Sequence, residues 1–200
     1  MMMAAASAGR IGPNAVIQVA AALDQRLGTG VARDLMQAAG LGAYVRTPPQ
    51  HLIDEREVIA LHTLLRERLQ PATATEVVRA AGVATGDYLL EHRIPRLAQS
   101  ALRALPAPLA ARLLLGAIRR HAWTFAGSGH FLARSGRPVV ISIGSCPICR
   151  GAHAAGPQCG YYAATFQRLF RQLVHRNAHV RETACQAAGA ACCRFEIDWD

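Results

Sequence analysis

Three cysteines and one glutamate near the C-terminus have the types and the spacing to bind a metal ion. Cys159 stands at the head of an amphipathic segment, and Glu182, Cys185 and Cys193 follow in a stretch that alternates like a two-stranded ribbon. Thiolates favour zinc or iron, and a carboxylate is an acceptable fourth ligand for zinc. Glu182 and Cys185 are three residues apart, which suits a turn or an irregular strand end better than a regular strand with its strict alternation. Four protein ligands would close the coordination sphere, so such a site would be structural and its binding energy would be folding energy. The alternative is that these cysteines are small buried hydrophobes.

A second group is Cys146-Pro147-Ile148-Cys149, with His153 shortly after it. A C-x-x-C pair can be redox-active or bind metal, or it can be a tight loop carrying two ordinary thiols. With Cys159 it could form a three-cysteine corner for an iron–sulfur cluster, but the spacing shows no fourth ligand. We therefore treat Cys146 and Cys149 as accessory thiols. A dinucleotide site would show G-x-G-x-x-G between a strand and a helix. Gly28-Thr29-Gly30, Gly40-Leu41-Gly42 and Gly127-Ser128-Gly129 each lack the third glycine, and no P-loop is present. Neither NADPH nor flavin is supported by a motif, which argues against a self-sufficient nicotinamide-dependent enzyme while leaving a partner reductase open.

The elements that must position these groups follow from periodicity and punctuation. Residues 1–10 are expected to be disordered, residues 11–121 to be helical, and residues 122–200 to form an α+β ligand-binding domain that packs with the helices as one unit. Helices are expected from Ala15 to Leu27 with Asn14 as N-cap, from Arg33 to Ala39, and from Asp54 to Leu69, where Pro71 ends the run. The next runs from Ala74 to Ala81, with a continuation from Val83 to Arg93 after an interruption at Gly82, and another spans Leu109 to His121. Trp123-Thr124-Phe125 reads as a strand and Pro138–Ile143 as a buried one. The segment Pro157–Val174 is the helix on which the C-terminal half turns, with Tyr162, Phe166, Leu169 and Leu173 as its buried stripe. Val180–Gln186 and Cys192–Trp199 alternate as a hairpin. The fold class expected is thus α+β, a helical N-terminal region followed by an antiparallel sheet with packed helices.

Apolar residues make up 52% of the 200-residue chain, enough for a substantial core. No window holds about 18 uninterrupted apolar residues, so no transmembrane helix is expected, and the N-terminus lacks the charged and long apolar regions of a signal peptide. Six cysteines in such a chain read as thiols or metal ligands before disulfides. The formal net charge is +9 and every basic residue is arginine. A GC-rich genome writes arginine for lysine, and the planar guanidinium also suits carboxylates and phosphates. The arginines are scattered and no DNA-binding motif is present, so nucleic acid is not expected as a partner. The lack of lysine excludes Schiff-base chemistry.

The ordered pattern Glu182-x-x-Cys185-x-x-x-Gly189-x-x-x-Cys193-x-Phe195, with Cys159 26 residues before Cys185, resembles the 4-vinyl-reductase domain family. That family includes the aromatic-sensing domains of phenol-responsive bacterial regulators, and the resemblance implies structural zinc on Cys159, Glu182, Cys185 and Cys193. It covers roughly residues 120–198. The stretches Arg10–Ala15 and Cys146–Gly151 extend it. Across its whole length the chain is similar to the bacteriochlorophyll 4-vinyl reductase (divinyl protochlorophyllide 8-vinyl reductase) family of purple phototrophs.

This wider resemblance implies a magnesium tetrapyrrole as ligand or substrate, enzymes of bacteriochlorophyll synthesis as partners, and a cytoplasmic location peripheral to the photosynthetic membrane. A closed metal site beside no donor-nucleotide motif favours a tetrapyrrole-binding carrier or accessory protein over a complete reductase using an external donor. A small-molecule sensor or scaffold is the third reading. A macrocycle needs a wide apolar slot with a few polar anchors, and Trp123, Phe125, His130, Phe131, Tyr162 and Phe166 are the candidates for binding it; no catalytic residue is assigned. The family is also similar to vesicle-tethering subunits of TRAPP type, which implies sheet-plus-helices packing and a homodimer through the N-terminal helices.

Overall fold

The computed structural model describes residues 9–200. Two short strands, β1 (Arg10–Ile11) and β2 (Ile53–Asp54), pair antiparallel and frame the first helices, α1 (Asn14–Leu27), α2 (Thr29–Ala38) and α3 (Ala43–Arg46). Then come α4 (Glu55–Arg68), α5 (Pro71–His92), α6 (Arg96–Ala104), α7 (Ala107–Arg120) and the single turn α8 (Trp123–Ala126). The C-terminal part is β3 (His130–Arg134), β4 (Val139–Gly144), α9 (Gly160–Leu173), β5 (His179–Ala184) and β6 (Cys193–Asp198). Strands β3 to β6 form one antiparallel sheet in the order β3-β4-β6-β5. The α+β class with an antiparallel sheet and packed helices is as the sequence predicts. No helix among the described residues is long and apolar enough to cross a membrane.

Several local expectations differ from the structure. Residues 1–8 of the segment expected to be disordered lie outside the described residues, while Arg10 pairs with Asp54 in a strand. Pro71 does not end a helix but opens α5, where its missing N–H is one that no helix needs. Trp123-Thr124-Phe125 forms a helical turn instead of a strand. Gly127 at φ 57° ends it, and Thr124 presents its carbonyl to the Gly12 N–H at 2.6 Å. Asn14 begins α1 without capping it, whereas Asp54 caps α4 by accepting from the Arg56 N–H. The helix α6 between Pro95 and Leu105 is absent from the elements read off the sequence.

The core is organised on α9. Its stripe of Tyr162, Phe166, Leu169 and Leu173 is buried as expected, and Phe166 and Tyr162 meet Phe195 of β6 edge-to-face at 5.6 and 6.3 Å. Strand alternation on the sheet supplies the other half: Val139, Ile141 and Ile143 of β4 and Cys193, Phe195 and Ile197 of β6 are all buried. Burial of α9 extends to a second face, Tyr161, Ala164 and Thr165, which packs on α5. The contact depends on two glycines of α5. A methyl group on Gly82 would stand 2.3 Å from the Tyr161 carbonyl oxygen, and one on Gly86 2.7 Å from Arg168 Cβ. Gly82 therefore does not interrupt the helix; it is where a second backbone comes close. The Thr165 hydroxyl donates to the Gly82 carbonyl at 2.9 Å, and Thr85 and Tyr161 share a 2.8 Å hydrogen bond.

The N-terminal helices also hold the loop after β4. Glu55, at the start of α4 and nearly buried, accepts from the Ser128 N–H at 2.8 Å, the Ser128 hydroxyl at 2.6 Å and Arg150 at 2.7 Å. Arg150 also donates to the Ser145 carbonyl, so one carboxylate ties α4 to both ends of the Cys146–Cys149 loop. Arg66 of α4 adds a 2.9 Å hydrogen bond to the Ile148 carbonyl. Burial raises the pKa of Glu55, but the bonds from Ser128 and the Arg150 guanidinium outweigh it and hold the carboxyl below its ordinary value. His62 is buried against Tyr161, and desolvation lowers its pKa to about 3.

Gly82→Ala should lower stability by about 2 kcal/mol in denaturant unfolding even though alanine gains about 1 kcal/mol of helix propensity, because the methyl has backbone in its way. The acid dependence has a defined sign. Glu55 binds protons less readily when folded, so its contribution is complete above the ordinary glutamate range and lost as pH falls through the depressed native value. His62 takes up a proton below about 6.5 when unfolded but only near 3 when folded, so it too erodes stability on acidification. Glu55→Gln should cost about 2 kcal/mol at pH 7, and the gap from the unaltered protein should narrow on acidification below the ordinary glutamate range. A gap independent of pH would contradict the ionised role of Glu55.

Candidate metal centre and adjoining groove

The register of the sheet sets the centre. Ile143, near the end of β4, pairs with Cys193 at the start of β6. The chain leaving β4 therefore passes Cys193 before it turns at Ser145 (φ 50°) into the Cys146–Cys149 loop. On the other side of β6, Glu182 pairs with Phe195 but Ala184 with Arg194, a slip of one residue. This bulge accounts for the three-residue spacing of Glu182 and Cys185, which a regular strand would not bring to one point. Cys185 then leads into a 3-10 turn, Gln186–Ala188, which Gly189 closes in the left-handed region at φ 87°. Cys159 occupies the N-cap position of α9, and its N–H donates to Glu182 Oε2 at 2.8 Å.

These placements bring the ligand atoms of Cys159, Glu182, Cys185 and Cys193 within 4.8 Å of one another. Cys146 and Cys149 belong to the same cluster. With Cys159 and Cys193 they make a second quartet inside the same limit, all four buried. The fourth partner that spacing alone does not reveal for the C-x-x-C pair is thus Cys193. The Sγ separations are 3.5 Å for Cys146–Cys159, 3.3 Å for Cys149–Cys193, 3.5 Å for Cys159–Cys193 and 3.9 Å for Cys185–Cys193. Either quartet offers soft donors at the spacing of a tetrahedral ion. His153 is exposed and Cys192 half-buried; both stand outside the two quartets.

The electrostatics are those of anionic groups crowded away from water. Burial and the neighbouring Cys185 push the Glu182 carboxyl up to about 8, and its Oε1 is buried with no hydrogen-bond partner. A hydrogen bond from Cys159 and one from Glu182 draw Cys185 down to about 6 in spite of burial. Cys159, surrounded by Cys146, Cys149, Cys185 and Cys193, is pushed up. A cation placed among these atoms would favour every deprotonated form at once.

The surrounding groups are ones the sequence does not single out. The Gln186 carboxamide oxygen accepts from the Cys146 N–H at 2.7 Å, and the Gln186 N–H points to Cys193 Sγ at 3.4 Å. Arg66, pulled down by burial and up by Cys149 and Cys159, is the nearest cation on the helical side. Arg150 stands next to the C-x-x-C motif, where its adjacency is a readable signal; Glu55 and Arg66, some 80 to 95 residues away from the loop they hold, give none.

The residues suggested for a macrocycle divide. Phe125, Phe131, Tyr162 and Phe166 pack on one another, with Phe125 centroids 5.4, 6.0 and 6.2 Å from Phe131, Tyr162 and Phe166. The Tyr162 hydroxyl donates to the Phe125 carbonyl at 2.5 Å. Trp123 (57% exposed) and His130 lie at the surface. A groove of about 860 Å³ opens elsewhere, between α4, the start of α5, the 151–160 loop and the start of β5. Its lining includes Arg66, Arg79 and Arg181, His153 and His179, and apolar Leu65, Val78 and Val180. Glu182 and Gly160 also line it, so it adjoins the metal centre.

Residues 139–198 match the 4-vinyl-reductase (V-4-R) domain family. The bacteriochlorophyll synthase 23 kDa chain of Cereibacter sphaeroides is 47% identical over 192 residues, covering 96% of this chain and 92% of that one. The protein of the same name from Rhodobacter capsulatus is 40% identical over 188 residues, covering 94% and 86%. Among solved structures, an H-NOX protein from K. algicida superposes with a TM-score of 0.61 at 9% identity, covering 95% of this chain and 97% of that one. One from S. oneidensis gives 0.57 at 11% identity, with 95% and 99% covered. At such identities the likeness concerns the fold, which is H-NOX-like. Identity of 40–47% over nearly the full length, together with the C-terminal domain match, shows that the chain belongs to the bacteriochlorophyll synthase 23 kDa chain family.

Proposed function

We propose that the protein acts in bacteriochlorophyll synthesis at the 8-vinyl reduction step, as a carrier or accessory protein that holds a magnesium tetrapyrrole. Zinc on Cys159, Glu182, Cys185 and Cys193 is structural in this reading. It staples the β5–β6 hairpin to the head of α9 and so fixes one wall of the groove. The names of the two relatives support the pathway. The observation that carries the binding role is the groove itself, broad and part apolar, with three arginines for propionate carboxylates and two exposed histidines within reach of a central magnesium. The cysteines of the cluster are at most 2% exposed, which suits holding the fold together more than exchanging electrons with a bound pigment. Contact with other enzymes of the pathway has an apolar surface available in Leu97, Leu109 and Leu113 of α6 and α7. The family resemblance adds homodimerisation through the N-terminal helices and a place at the photosynthetic membrane surface.

Two rivals stay distinct. A reductase drawing on an external donor would turn the bound pigment over. A sensor or scaffold would bind a smaller ligand or none. The exposed Trp123, with His130, also offers a second place for a macrocycle, next to the aromatic cluster of Phe125, Phe131, Tyr162 and Phe166.

An anaerobic absorption titration with divinyl protochlorophyllide, followed by NADPH, tests the proposal. A saturable spectral shift without later loss of the vinyl group is the expected result. Arg79→Ala with Arg181→Ala should weaken binding about tenfold, the loss of about 1.4 kcal/mol of charge-assisted contact, while Trp123→Ala with His130→Ala should leave it unchanged. The reverse pattern would move the ligand to the aromatic face. Conversion to the monovinyl product would make the protein a reductase, and no shift would leave the scaffold reading.

A further inference from the structure

The two quartets share two sulfurs, and that overlap has a chemical meaning. We propose that the cluster binds two zinc ions in a bridged pair. Cys159 and Cys193 bridge both ions, Cys146 and Cys149 complete one of them, and Glu182 and Cys185 complete the other. This deepens the reading of the cluster as a zinc site and rests on it.

The donor count closes. Two tetrahedral ions with two bridging ligands need four further donors, and the cluster supplies six in all, divided two, two and two. The distances fit as well. Zinc–sulfur bonds of about 2.3 Å in a tetrahedron place neighbouring sulfurs about 3.8 Å apart. The bridging pair here is 3.5 Å apart, and the bridging-to-terminal separations run from 3.3 to 3.9 Å. A sulfide-bridged iron cluster, which inserts several metal atoms between its cysteines, holds them further apart.

Charge and rigidity favour two ions over one. A single ion on Cys159, Glu182, Cys185 and Cys193 leaves Cys146 and Cys149 as buried protonated thiols against its thiolates. Binding at both quartets instead ionises all five thiols. Five thiolates and a carboxylate then face two dications, leaving two net negative charges with Arg66 nearby. The C-x-x-C loop is also held at the cluster by groups that do not bind metal: Arg66 on the Ile148 carbonyl, Gln186 on the Cys146 N–H, and Glu55 through Arg150. Such anchoring presets the two thiols. Glu182 Oε1, buried and without a partner, remains available as the oxygen donor of the second ion.

The test is metal content by mass spectrometry on full-length protein purified anaerobically from zinc-supplemented medium. The unaltered protein should carry two zinc equivalents, and Cys146→Ala with Cys149→Ala should retain one. Cys185→Ser, which dismantles only the other quartet, should also retain one. Cadmium NMR of the unaltered, cadmium-exchanged protein covers the case in which a variant does not fold. It should show two equal signals, one from an all-sulfur site and one from a site with an oxygen ligand, coupled through the bridging sulfurs. One equivalent and a single cadmium signal, kept without Cys146 and Cys149 and lost in Cys185→Ser, would overturn the second ion and leave the single structural zinc standing. One equivalent lost without Cys146 and Cys149 but kept in Cys185→Ser would overturn both assignments in favour of the four-cysteine set. No metal in the folded protein would overturn the zinc reading altogether.

Discussion

Five cysteine sulfurs and one carboxylate are packed into a space that water does not reach, and the C-terminal architecture is built around that crowding. Ionised side chains are not buried together without a counter-charge. The strain shows in Glu182, driven up to about 8 by burial and by Cys185, and in the opposite directions in which the neighbouring thiols are displaced. A soft dication resolves the conflict by pairing with every donor at once. The elements it would join are far apart in sequence: the end of β4, the head of α9, the bulged end of β5 and the first residue of β6.

The helical half matters because it holds this arrangement from outside. Helix α5 approaches α9 through Gly82 and Gly86, closely enough to fix where Cys159 begins its helix. Helix α4 reaches the other side of the cluster with Arg66 and, through Glu55 and Arg150, the C-x-x-C loop. The groove proposed for the tetrapyrrole is bounded by these same helices and by the stapled end of β5. Metal binding and pigment binding are therefore coupled through shared walls.

What the sequence showed and what it hid can be traced to particular residues. The α9 stripe and the alternation of β4 and β6 were legible because each is a local period imposed by one buried face. Cys159, Glu182, Cys185 and Cys193 were legible as an ordered set, helped by the family resemblance. The role of Cys193 as the missing partner of Cys146 and Cys149 was not, because it depends on the pairing of Ile143 with Cys193, a register set by the whole sheet. Gly82 looked like a break because the helix that crosses it lies 80 residues away. Trp123-Thr124-Phe125 looked like a strand from its residue types, but Gly127 and the tertiary bond to Gly12 fold it into a turn. Local propensity is a weak guide over a segment that short.

The central claim is that a sulfur-rich metal centre fixes the C-terminal half of the molecule. X-ray absorption at the zinc edge of the purified protein tests it most directly. The account predicts a four-coordinate first shell dominated by sulfur at about 2.3 Å, with a minor oxygen contribution at about 2.0–2.2 Å. A shell of nitrogen and oxygen alone would contradict it, because zinc would then be held by surface groups and the buried thiols would have no part in binding it.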